Sequence, residues 1–251
     1  MTGRAARRGL LALVVGLSVL VPPATGGPVG AQDQPAPDSA FGNGMFGLSA
    51  GRAHTCALSC GVLADETVRC WGDDGGGQLG DGATADSSVP VVVVGISGAL
   101  SVSAGDNHTC ASTAGQGIAC WGDNSFGQLG DGTSVDSPLP RFPDASGTVS
   151  AGATHSCANN SDVATWCWGD NTFGQLGDGT NLNSSQPVVV SGLSNVWTVT
   201  AGDRSSCALS NANGLACWGK NNRGQLGDQT TIDSNMPVVA REASVYVGMT
   251  M

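Results

Sequence analysis

One block of sequence occurs four times in this chain: CWGDDGGGQLGDG at 70–82, CWGDNSFGQLGDG at 120–132, CWGDNTFGQLGDG at 167–179 and CWGKNNRGQLGD at 217–228. Its tryptophans, Trp71, Trp121, Trp168 and Trp218, stand 50, 47 and 50 residues apart. Self-similarity at such a period marks a solenoid or a propeller array. A second element keeps step with the first: SAGRAHTC at 49–56, SAGDNHTC at 103–110, SAGATHSC at 150–157 and TAGDRSSC at 200–207. Length varies only in the segments between the two elements, as loops vary between fixed strands.

The repeats read as β-structure. The chain has 39 Gly, turn signals recur about every ten residues, and short β-rich runs lie at 89–94, 117–120 and 187–190. In the fourth repeat the strands are expected at 196–201, 205–210, 214–218 and 236–240, with the GQLGD segment as a wide connection before the last. Four short strands in a unit of this length make a propeller blade. The fold class is therefore all-β, with four blades at about 46–94, 99–143, 147–190 and 195–240. Residues 243–248 repeat the pattern of 193–200 and open a fifth unit at 243–251 that stops before any AGxxxxC. Because 46–50 already supplies the first strand of blade one, that tail duplicates an element instead of completing one, and the expected arrangement is an incomplete, open ring.

The first 31 residues read as an export signal, with Arg4, Arg7 and Arg8 ahead of an apolar stretch at 10–21 and a small-residue cleavage site at Val29-Gly30-Ala31. The stretch is too short to span a bilayer, which takes about 20 residues, so no membrane span is expected after cleavage. Residues 32–45 read as a flexible leader. Nine cysteines agree with a secreted or extracytoplasmic protein. Cys110/Cys120, Cys157/Cys167 and Cys207/Cys217 share one spacing and bracket turn formers, so each pair is expected to bridge a hairpin. In the first repeat spacing favours Cys60 with Cys70, whereas alignment on Ala-Gly favours Cys56 with Cys70. Alignment is preferred, because position within a strand decides the face a side chain occupies, and Cys60 is then the odd thiol. No CxxC supports zinc.

The chain carries 10 Lys+Arg against 20 Asp+Glu, and three of the Arg lie in residues 1–31, leaving 7 against 20. Nucleic acid and anionic membranes need a basic footprint and are not expected partners. The three histidines, His54, His108 and His155, occupy one repeat position; buried rings bonded to a neighbouring blade are favoured over a metal ring. Asp123-Asn124 with Asp131 and Asp136, and Asp170-Asn171 with Asp178, could offer calcium ligands, yet Asp-Asn and Asp-Gly are default turn pairs. No metal, no cofactor and no catalytic residue is expected, and the chain reads as a non-enzyme. The slot held by Gly75-Gly76, Ser125-Phe126, Thr172-Phe173 and Asn222-Arg223 varies where a binding face would vary. Phe126, Phe173 and Arg223, with Trp166 and Trp197, which stand outside the repeat pattern, are the candidate binding-loop residues.

The pairing of SAGxxHTC with CWGDNxxGQLGDG, followed by strands such as Val89-Pro90-Val91-Val92 and Gln186-Pro187-Val188-Val189, resembles the regulator of chromosome condensation repeat over about 46–248. The resemblance implies a β-propeller, usually of seven blades, and the cysteine pair in each blade is similar to exported bacterial members. The chain departs from the family in showing four repeats. Guanine-nucleotide exchange is implied by the family's best-known nuclear member, and an export signal speaks against it. Inhibition of a secreted enzyme is suggested by a related β-lactamase inhibitory propeller, which lacks GQLGDG. The expected function is an exported scaffold that binds a protein or cell-surface partner through blade loops. Self-association through open blade ends is also expected, since Val245, Tyr246, Val247, Met249 and Met251 stand at the last one.

Overall fold

The computed structural model describes residues 45–59, 67–160 and 164–241. The stretches expected as a signal at 1–31 and as a fifth unit at 243–251 lie outside them, as do Cys60 and the expected leader at 32–45 except for Met45, which belongs to the first strand. All described residues belong to one compact unit, within 39–251.

Sixteen strands form four four-stranded antiparallel sheets, each paired in chain order. The first holds β1 (Met45–Ala50), β2 (His54–Ser59), β3 (Thr67–Gly72) and β4 (Ser87–Val92). The second holds β5 (Ala99–Ala104), β6 (His108–Thr113), β7 (Gly117–Gly122) and β8 (Ser137–Arg141). The third holds β9 (Thr148–Ala151), β10 (His155–Asn160), β11 (Ala164–Gly169) and β12 (Ser184–Val189), and the fourth β13 (Val196–Ala201), β14 (Ser205–Ser210), β15 (Gly214–Gly219) and β16 (Ser234–Val239). The last strand starts two residues earlier than its sequence suggested, because Ser234 pairs with Gly219 across an irregular step in the ladder. No helix occurs among the described residues, so none is long and apolar enough to cross a membrane.

The first strands of successive blades touch, β1 with β5, β5 with β9 and β9 with β13, and no comparable contact joins β13 back to β1. The blades thus form an open ring with the first strands innermost. The fourth strands are outer edges, and each carries a proline: Pro90, Pro138, Pro187 and Pro237. Proline cannot donate to a ladder, so it sits where no further strand pairs and blunts the edge against addition of one.

The core lies between sheets. Leu58, Val68, Leu79 and Val93 of blade one pack with Trp121 of blade two. Ile118 and Leu129 meet Trp168 across the next interface, and Leu176 and Val190 meet Trp218 across the third. Those three tryptophans are fully buried, whereas Trp71, with no blade before it among the described residues, is only half-buried. Gly130 shows why the GQLG segment ends in glycine. Its φ is 74°, and a Cβ there would stand 2.8 Å from Trp168 Nε1 of the next blade.

Candidate functional site

Each blade is joined to the next by one hydrogen-bond relay. Thr109 Oγ1 donates to the carbonyl of Gln78 at 3.0 Å, and Trp121 Nε1 donates to the same oxygen at 2.9 Å. The hydroxyl has a single proton, so the 2.8 Å contact between it and His54 Nε2 must be donated by the ring. His54 is therefore the neutral Nε2–H tautomer. The same atoms recur with His108, Ser156, Gln128 and Trp168, and again with His155, Ser206, Gln175 and Trp218. In all three rings Nδ1 is buried without a partner. Burial holds His54 down to about 4 against the opposing charge of Asp73. It holds His108 down to about 3, with His155 adding to the effect, and His155 down to about 4 against Asp170 and Asp203. Ser205 takes the histidine position in blade four.

The glycine of the Ala-Gly turn is fixed by that ring in blades one to three. A Cβ on Gly105 would lie 2.5 Å from His108 Cε1 and against the carbonyl oxygen of Gly152 in the next blade. The four turns converge on a cavity of about 400 Å³ lined by residues 50–52, 104–106, 151–153 and 201–203, with Arg52, Asp106 and Asp203 as its charged groups.

The antiparallel course of the strands puts the β3–β4, β7–β8, β11–β12 and β15–β16 loops at the same end as these turns. Phe126, Phe173 and Arg223 therefore share one face with the cavity. Phe126 is exposed at its loop tip, and so is Arg223. Phe173 is half-buried, with Arg204 Cζ 5.3 Å and Lys220 Nζ 4.8 Å from its ring centroid, a cation–π arrangement that ties its loop to blade four. Trp166 and Trp197 sit near the starts of β11 and β13, at the opposite, hairpin end. Trp166, like Ala145 and Val149, packs against the buried cluster that includes Ile118, Leu129 and Trp168, while Trp197 is 52% exposed. The five candidates thus fall into two groups at opposite ends of the blades. Arg52, Asp106, Asp203, Arg204 and Lys220 were not singled out in the sequence. For the first four the signal was there in the dipeptide after each Ala-Gly, which reads Arg-Ala, Asp-Asn, Ala-Thr and Asp-Arg inside an otherwise constant frame, and for Lys220 in its place after Cys-Trp-Gly, where the other repeats have Asp.

The cysteine pairs face one another on adjacent central strands. Disulfides join Cys56 to Cys70, Cys110 to Cys120, Cys157 to Cys167 and Cys207 to Cys217, with Cα atoms 4.0–4.1 Å apart. Such short separations belong to the non-hydrogen-bonded positions of an antiparallel ladder.

In the Asp/Asn-rich loops the oxygens are already engaged. The Asn124 amide nitrogen faces Asp131 Oδ1 at 3.3 Å, the Thr133 carbonyl at 3.2 Å, Thr133 Oγ1 at 3.1 Å and the Val135 carbonyl at 3.1 Å. Asn171 and Asn221 fill the same cage in blades three and four. Blade one has Asp74 there, and burial raises its carboxyl, reinforced by Asp81, Asp86 and Asp73 and opposed by the Leu79 amide.

Comparison with known proteins agrees with this architecture. The family model described as the regulator of chromosome condensation (RCC1) repeat matches residues 65–112, 120–158 and 164–209, more than half of the chain, and a second model of that repeat matches 100–128 and 198–225. Curated proteins gave no match. Among solved structures, human WBSCR16 is 25% identical at a TM-score of 0.67, covering 77% of this chain and 52% of that one. The yeast protein RCC1 (Prp20), in the complex with Kap60, is 20% identical at 0.66, covering 78% and 48%. Prp20p of Saccharomyces cerevisiae, described with its binding to Gsp1p and histones, is 23% identical at 0.64, covering 78% and 50%. The chain spans about half the length of each. With its repeats matched over most of the described blades and its four-stranded sheets superposing on theirs, the chain belongs to the regulator of chromosome condensation (RCC1) repeat family.

Proposed function

We propose that the chain is an exported, non-enzymatic scaffold that binds a protein or cell-surface partner through the face carrying the Ala-Gly turns and the β3–β4-type loops. One observation carries this reading. The relay between blades repeats atom for atom, while at the cavity end side chains change from blade to blade within turns and loop tips of constant length, in residues 52–53, 106–107, 153–154 and 203–204 and at 75–76, 125–126, 172–173 and 222–223. A constant frame with a varied rim is how binding loops are displayed on rigid scaffolds. The yeast relative's association with Kap60, and its described binding to Gsp1p and histones, support a protein as partner. The family is regulatory and binding in character, which supports a role without catalysis. Four disulfides support an oxidising compartment. The half-buried Trp71 at one end of the array and the exposed Gln225 at the other support self-association as part of the same function.

The test is cross-linking of the exported, disulfide-intact protein in its native host, comparing wild type with two variants. Phe126→Ser with Arg223→Asp should lower partner capture at least about tenfold, the scale of losing a contact residue from an interface. Trp197→Ser, at the hairpin end, should leave capture unchanged. The reverse pattern would move the binding face to the hairpin end and sink this assignment.

A further inference from the structure

We propose that the β3–β4 loop of the first blade is a calcium site, with Asp74 Oδ2, Asp81 Oδ1 and the carbonyl oxygens of Ala83 and Ala85 as protein ligands.

The four loops of this kind are built alike. Leu79 N donates to Asp74 Oδ1 at 2.9 Å, as Leu129 N donates to Asn124 Oδ1 at 3.0 Å. Asp74 N donates to Asp86 Oδ1 at 2.9 Å, as Asn124 N donates to Asp136 Oδ1 at 2.8 Å. Ala83 N donates to Asp81 Oδ1 at 2.9 Å, and Thr133 N to Asp131 Oδ1 at the same distance. With those three bonds fixed, the second carboxylate oxygen of Asp74 occupies the place of the Asn124 amide nitrogen. In blades two to four that nitrogen is a donor ringed by oxygens. In blade one the three fixed bonds and Asp81 are kept, the threonine hydroxyl is lost, and the donor is replaced by another oxygen.

Asp74 is fully buried, and its Oδ2 has no hydrogen-bond partner among the described residues. An unpaired carboxylate oxygen out of water is costly, and oxygens facing it on several sides raise the cost further. A shared cation relieves all of these contacts at once. The spacing suits one: in the sibling loop the corresponding atoms are 3.1–3.3 Å apart. Two oxygens about 3.2 Å apart subtend about 84° at an ion about 2.4 Å from each, a geometry compatible with six- to eight-coordinate calcium.

Two further substitutions open the cage. Thr133, Thr180 and Thr230 place a hydroxyl beside the amide in blades two to four, whereas blade one has Ala83, leaving room for a water ligand. At the loop tip Gly75-Gly76 replaces Ser125-Phe126, so blade one carries no side chains there. Half of the ligands are backbone carbonyls, so no group of three or more acidic, His or Cys side chains marks the place among the described residues. An all-oxygen set with two carboxylates favours calcium over zinc or copper.

The experiment is calorimetric titration of calcium chloride into the chelator-stripped, disulfide-intact protein. One site per chain is expected, with Kd in the range of about 10⁻⁴–10⁻³ M typical of extracellular modules, and a rise in Tm when calcium is added. Asp74→Asn restores the amide of the sibling loops, so it should abolish the binding heat while keeping the calcium-free Tm at or above that of wild type. Asn124→Asp combined with Thr133→Ala should create a second site, and Ala83→Thr should weaken the first at least tenfold without loss of folding. Absence of calcium binding by the wild type at about 10 mM, or equal binding by Asp74→Asn, would overturn the proposal, since a proton on Asp74 would then be what settles the cage. Magnesium binding as tight as calcium would overturn the choice of ion.

Discussion

The three imidazoles are neutral pins between blades, and their chemistry sets the acid limit of the fold. Each donates its one ring proton to a hydroxyl that is itself committed to a carbonyl, and each leaves a bare Nδ1 against an Ala-Gly turn. Protonation there would place a charge in a dry interface with no acceptor. The folded rings hold at about 3 to 4, below the ordinary value of 6.5 expected of the unfolded chain. The unfolded chain thus binds more protons, and the stability tied to the neutral rings is fully present above about pH 6.5 and lost as pH falls toward 4. Thermal melts between pH 7 and 5 should show Tm falling steeply below pH 6, with uptake of about three protons on unfolding near pH 5.5. A Tm flat across that range would show that the rings are not buried neutral. The repeated position of these histidines was legible in the sequence. Their tautomer was not, because it follows from the proton count of a hydroxyl on the next blade.

At the scale of the element, each blade's central hairpin is closed by a disulfide and flanked on its outer side by an edge strand. The outer strands are short, half exposed and interrupted by proline. A cross-link closing a loop of ten residues restricts the unfolded chain by about 2.7 kcal/mol in the entropic account. Replacing Cys157 and Cys167 together by Ser should therefore lower stability by about 2–3 kcal/mol in urea titrations. A loss below about 0.5 kcal/mol would show the hairpin held by its packing against Trp218 and Leu176 alone. Reading Cys56 with Cys70 required alignment on Ala-Gly, since the longer first hairpin places Cys60 at the spacing used elsewhere. The ladder settles the partner by putting Cys56 opposite Cys70 in register.

Among the described residues the blades are held by like interfaces repeated in one direction, so the first and last described blades each carry half of such an interface. Blade one presents Thr55 and Trp71, the positions that receive the relay elsewhere, and both are half-buried. Blade four presents the Gln225 segment, exposed where Gln78, Gln128 and Gln175 are fully buried. Complementary ends of this kind make head-to-tail contacts, which close into rings or run on as filaments. Multi-angle light scattering at micromolar concentration should show species larger than the monomer, and Trp71→Ser should shift them toward monomer. A wild-type monomer at every concentration would remove self-association from the proposed function.

The sequence by itself determined what depends on local pattern: the four repeats, the four strands in each, the turns, and the tryptophan and histidine positions that recur because every blade solves one packing problem. It could not say which atoms of different blades meet, because those contacts join residues 28 to 55 positions apart. Tertiary structure alone decided that Phe126, Phe173 and Arg223 share a face with a charged cavity while Trp166 and Trp197 lie at the other end. It also distinguished Asp74 from the asparagines of its sibling loops. In the sequence that change is one acidic residue among 18 aspartates. In the fold it turns a donor into an acceptor at the centre of an oxygen cage, and only the surrounding carbonyls, brought there by the loop's closure, make the difference matter.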